Sequence, residues 1–102
     1  MLHFVLYDEQ GQAAATCRIL PNKDHSEATL QRMAVLPAYQ GQNLGKLLLE
    51  DVIQFCQKRG FKRMVLHAQL TAKGFYDKLG FTCSGEEFEE AGIMHISMEK
   101  SL

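Results

Sequence analysis

Gln40-Gly41-Gln42-Asn43-Leu44-Gly45-Lys46 decides the fold, because the hydrophobic period of the chain changes across it. Before it, Leu30, Arg32, Ala34 and Leu36 alternate with Thr29, Gln31, Met33 and Val35, a strand over 28–36 expected to be largely covered on both faces after Arg32. Pro37 ends that strand, since proline cannot donate to a ladder. After it, Leu44, Leu48, Val52, Phe55 and Cys56 recur at three- and four-residue spacing with Leu49 and Ile53 beside them, which predicts a helix. Lys58 and Arg59 suit the negative end of its dipole, and Gly60 is placed to take the left-handed cap. At such a strand-to-helix junction, glycines and small polar residues let backbone N–H groups point inward. The unpaired N–H groups of the first helical turn add to them, and together they can hold a pyrophosphate. Gly41 and Gly45 permit close approach of the backbone, and Lys46 offers a charge to phosphates. The plainer reading is an ordinary helix start with Asn43 as N-cap.

Outward from this junction, Leu2 to Tyr7 and Ala13 to Leu20 are extended runs separated by a polar, glycine-bearing turn, and they read as a hairpin. Pro21 to Ser26 is a second turn. Beyond the helix, Arg63 to Ala68 is apolar enough for a buried strand, Thr71 can cap a short helix through Leu79 that Gly80 ends, and Phe81 to Ser84 and Ile93 to Met98 read as closing strands. The order β-β-β-α-β-α-β-β predicts a mixed α/β sheet whose long helix is a right-handed crossover between parallel strands.

The 102 residues make a single domain, and a hydrophobic content of 46% is enough for a real core. A formal net charge of -1 gives no bulk attraction for nucleic acid or anionic lipid. No apolar run reaches the roughly 20 residues of a membrane helix, and the chain begins without a signal-like segment, so a cytoplasmic protein is expected. Cys17, Cys56 and Cys83 are odd in number and widely spaced, which indicates reduced thiols rather than disulfides or zinc. His3, His25 and His67 are scattered without ligand spacing, so no metal is expected.

Gln40-Gly41-Gln42-Asn43-Leu44-Gly45 resembles motif A, (Q/R)-x-x-G-x-(G/A), of the GNAT superfamily of N-acyltransferases. Asn43 stands where the motif has glycine, and asparagine tolerates left-handed backbone angles better than most residues. Phe75-Tyr76-Asp77-Lys78-Leu79-Gly80-Phe81 matches the family's F-Y-x-x-x-G-F signature. The stretch from Glu86 to Met98 looks like the E-x-F-x-E-x-G-I-x-H-x-x-M ending of the ElaA/YjcF-like subgroup. The resemblance covers nearly the whole chain and begins at what looks like the family's second strand. It therefore omits the first strand and helices that build part of the acceptor wall in a complete GNAT fold.

The resemblance implies an acetyl-CoA-dependent N-acetyltransferase acting on a primary amine, by direct attack in a ternary complex. The backbone at Met33, Ala34 and Val35 and the loop Gln40 to Lys46 would hold acetyl-CoA, with Gln69 and Lys73 as further contacts to its arm or phosphates. Tyr76 resembles the family's general acid. A phenol, with an ordinary pKa of about 10 against about 8.5 for a thiol, is protonated at neutral pH and can donate to the departing thiolate. For the base, Glu27 and Gln31 lie near the family's carboxylate position, but Gln31 cannot accept a proton usefully. His95 is the better side-chain candidate, because an imidazole exchanges protons near neutrality. The acidic run Glu86, Glu87, Glu89 and Glu90 reads as a solvated loop, with attraction of a cationic amine as its functional alternative. The short N-terminus favours a rival reading, a non-catalytic CoA-binding or protein-interaction domain. Uncovered sheet surface would favour a homodimer under either reading.

Overall fold

The computed structural model describes residues 1–102 apart from Gln40 and Gln42. The chain forms β1 (Leu2–Tyr7), β2 (Ala13–Pro21), β3 (Glu27–Val35), α1 (Leu44–Lys58), β4 (Arg63–Gln69), α2 (Lys73–Lys78), β5 (Thr82–Cys83), β6 (Phe88–Glu90) and β7 (Ile93–Ser101). Single 3-10 turns at Pro37–Tyr39 and Leu70–Ala72 precede the two helices. The sheet runs β1-β2-β3-β4-β7-β5, with β6 also on β7; among the described residues only the β3–β4 pair, joined through α1, is parallel.

The expected mixed sheet and crossover are present, with one added strand. β6 lies inside the acidic run that reads as loop in the sequence, held to β7 by pairs from Phe88–His95 to Glu90–Ile93. Three residues dominated by glutamate carry no period from which a strand can be recognised. The second helix also starts later than Thr71, which belongs to the 3-10 turn; Ala72 is its N-cap, with no side-chain cap bond.

One face of the sheet is covered. Cys17 and Ile19 of β2, Leu30 of β3, Met64 and Leu66 of β4, and Ile96 and Met98 of β7 pack with Leu48, Leu49, Val52 and Cys56 of α1 and Tyr76 of α2 in one cluster. Residues of the other face, such as His3, Arg18, Gln31 and Arg63, stay half-exposed or exposed, so β3 is not covered on both faces after Arg32 as expected. Arg63 closes the paired end of this face, bonded to Glu27 of β3 and lying 3.3 Å from Glu99 of β7. Among the described residues, no helix is long and apolar enough to cross a membrane.

Arg32 is the irregular residue of the sheet. Thr16 pairs with Ala34 and Arg18 with Gln31, so Arg32 and Met33 together oppose Cys17, a β-bulge in which Arg32 takes φ +55°. The bulge exchanges the faces of all that follows. Ala28 and Leu30 point into the core before it; Met33 and Val35 pack against the core after it, and Ala34 is exposed. The ladder to β4 also stops early, at Thr29–Val65, although both strands continue. Beyond that pair a gap opens in the sheet.

Candidate active site

Two cavities follow this gap and share Met33, Ala72 and Tyr76. One, of about 860 Å³, runs over Met33, Ala34 and Val35 to Gly41 and the start of α1. The other, of about 580 Å³, lies between Thr29–Met33 of β3 and Leu66–Gln69 of β4 and reaches Glu90 and His95. Both volumes suit small-molecule sites.

At the first cavity, Gly41 and Asn43 lie in the left-handed region, with φ of +86° and +60°. Left-handed residues at the entry to a helix turn backbone N–H groups toward one side, as in anion-binding concavities. Asn43 makes no side-chain cap bond, so the first-turn donors of α1 are not satisfied by its amide. Asn43, Leu44, Gly45 and Lys46 line the cavity with Gly41; Gln40 and Gln42 lie outside the described residues. The arrangement fits a phosphate group: open backbone donors, a helix N-terminus and one lysine.

Tyr39 forms part of the same wall. Its hydroxyl donates to the Asp8 carboxylate, which also accepts the N–H groups of Gln10 and Gln12 at 2.8 and 2.9 Å. This bond lowers the Asp8 pKa and raises that of Tyr39. The β1–β2 turn is thereby tied to the turn before α1.

Tyr76 stands where the cavities meet. Its ring lies edge-on to Phe75 and Phe81, with centroids at 5.0 and 5.8 Å. Among the described residues its hydroxyl has no hydrogen-bond partner, and no buried side-chain polar atom is orphaned, so the hydroxyl opens on the cavity. Burial first, and the Cys17 thiol second, push its pKa upward. It therefore stays a proton donor throughout the neutral range.

His95 is buried on the second cavity, its Nδ1 2.8 Å from the Ile93 carbonyl oxygen. A carbonyl only accepts, so Nδ1 carries a proton, and in the singly protonated ring the lone pair lies at Nε2. Gln69 lines this cavity. Lys73 lines neither, and its ammonium is 2.9 Å from Asp77 Oδ2. Glu27 is drawn away to Arg63, and Gln31 accepts a bond from Arg18 Nε at 2.9 Å. Sequence reasoning set His67 aside as scattered, yet β4 carries it to the cavity with Glu90. Only strand register reveals this: Gln69 and Phe88 both stand opposite His95, and His67 is two residues from Gln69.

The family described as "Acetyltransferase (GNAT) domain" matches residues 1–102. The Bacillus subtilis protein YyaT is 34% identical over 98% of this chain and 66% of its own length. Among solved structures, Escherichia coli ElaA superposes with a TM-score of 0.85 at 29% identity, covering 96% of this chain and 66% of that one. The ribosomal-protein-S18-alanine N-acetyltransferase of Escherichia coli gives a TM-score of 0.84 at 31% identity, covering 98% and 68%. The chain thus spans about two thirds of the length of the relatives it matches.

Proposed function

Because the chain belongs to the GNAT acetyltransferase family, we propose that it serves the transfer of acetyl from acetyl-CoA to a primary amine, by direct attack in a ternary complex. The observation that carries this reading is the gap beyond Thr29 and Val65, lined continuously from the start of α1 to Tyr76 and His95.

Acetyl-CoA supplies an activated thioester when bound. The backbone of Gly41 and of Asn43 to Lys46 holds the phosphates, Gln40 and Gln42 belong to the same motif in sequence, and Lys46 adds its charge. The chain at Met33, Ala34 and Val35 lines the arm's path, where a main-chain N–H acts as oxyanion donor to the thioester carbonyl. Gln69 serves the arm from β4; Lys73 must leave Asp77 to reach a phosphate. His95 Nε2 takes the ammonium proton, directly or through water, and the freed amine attacks. As the C–N bond forms and the C–S bond breaks, Tyr76 gives its proton to the departing thiolate and is restored by the second proton that the attacking nitrogen sheds, so the products are the amide, the CoA thiol and protonated His95. The S18-alanine relative is an N-acetyltransferase, which supports an amine acceptor.

Calorimetric titration with acetyl-CoA and then desulfo-CoA, followed by an amine panel, tests this. Micromolar binding with acetyl transfer is expected. Binding without transfer to any amine favours a CoA-binding module, and a folded chain that binds neither ligand removes the cofactor site.

A further inference from the structure

Three proton acceptors from three strands converge at the outer end of the second cavity. Glu90 Oε2 lies 3.7 Å from His95 Nε2 and 3.9 Å from His67 Nδ1, and all three residues line the cavity. The Phe88 ring orients the two imidazoles: it is stacked on His95 at 5.9 Å between centroids and edge-on to His67 at 5.0 Å. Exposure grades inward, the side chains of His67 and Glu90 being 57% and 54% exposed and that of His95 10%. The outer pair meets solvent and the inner ring does not.

The tautomer of His95 decides what this cluster can hold. With Nδ1–H given to the Ile93 carbonyl, the neutral ring turns a lone pair toward the Glu90 carboxylate. Two acceptors then face each other at a distance too long for a hydrogen bond between them. A group rich in donors and positively charged satisfies both at once. Among the described residues, no lysine or arginine pairs with Glu90, and Glu90 is the one carboxylate lining the cavity. Arg32, across the gap on β3, is its one guanidinium, and Tyr76 is its phenol.

We propose that Glu90 captures the acceptor, which enters as an alkylammonium ion, bonds to the carboxylate beside the His67 ring, and passes to His95 Nε2. The acceptor class is accordingly a primary amine that is cationic in solution, and its neutral isostere is refused. The hand-over to His95 rests on the acetyltransferase reading; capture by Glu90 does not require turnover.

The test follows the ring C–H resonances of His67 and His95 by NMR at about pH 8, where an ordinary imidazole is neutral. The full chain is titrated with butylammonium chloride, and separately with butan-1-ol and with sodium chloride at matched ionic strength. Butylammonium is expected to shift both rings saturably, and the other two are not. Glu90→Gln, at an exposed position, should weaken butylammonium at least about fivefold, with acetyl-CoA affinity unchanged. No saturable shift, equal response to butanol, or equal affinity in Glu90→Gln overturns the proposal. Acetyl-CoA binding is measured in its own titration, so failure of the cofactor reading and failure of ammonium capture are separate results.

Discussion

Gly45 of α1 and Val35 of β3 approach so closely that a Cβ on Gly45 would stand 3.2 Å from Val35 Cγ2; Met33 Cε and Phe75 Cζ would be 3.4 and 3.5 Å away. The glycine therefore serves contact between helix and strand as well as access to the backbone. Gly45→Ala should change stability by less than about 1 kcal/mol, because alanine's helical advantage offsets the crowding. Gly45→Leu should cost about 2 kcal/mol or more in urea unfolding. Adding Val35→Ala should recover part of that loss; no recovery would place the crowding elsewhere.

Tyr76→Phe should leave stability within about 1 kcal/mol, since the hydroxyl has no partner among the described residues. Acetyl-CoA affinity should hold within about twofold while kcat falls about a hundredfold. Because burial raises this phenol, no loss of its proton-donating form is expected below its ordinary value of about pH 10. Parallel loss of affinity, stability and rate would make the tyrosine structural.

The bulge at Arg32 places a side-chain-bearing residue at φ +55°. Arg32→Gly relieves a left-handed cost of about 1 kcal/mol while adding chain entropy of similar size, so stability should barely move. Arg32→Val puts a β-branched residue in the same conformation and should cost more than about 1 kcal/mol. Equal melting temperatures for the two variants would show that this backbone is not constrained.

Burial pushes the thiols of Cys17 and Cys56 up to about 11, with Cys56 adding a repulsive charge to Cys17 when ionised. A folded-state pKa above the unfolded one means that the native chain holds more protons. Its contribution is complete below about pH 9 and is lost as pH rises toward 11. Urea midpoints should therefore fall between pH 9 and pH 11, and the fall should be shallower in Cys17→Ala. An unchanged slope would mean that Cys17 does not couple to the alkaline transition.

The elements with strong local chemistry were legible in the sequence. The apolar stripe from Leu44 to Cys56 is α1, Gly60 takes φ +86° just beyond its end, and the flanking strands stand near their expected bounds. Asn43, which departs from the motif's glycine, takes φ +60°, an angle that asparagine tolerates. Of the residues expected at the site, Tyr76 and His95 line one cavity, and Met33 to Val35 share the other with Gly41 and Asn43 to Lys46. The alternation over 28–36 misled, because Arg32 interrupts it with an extra residue that a regular period cannot register.

Period and turn chemistry, which depend on residues a few places apart, determined by themselves the helices, most strands and the glycine turn that opens α1. Tertiary structure alone decided that Glu90 reaches His67 and His95, that Glu27 is taken by Arg63, and that β3 parts from β4 after Thr29. Those contacts join residues far apart in the chain through strand register and a bulge. A one-residue change in pairing moves a side chain to the opposite face, and nothing local to either partner specifies it.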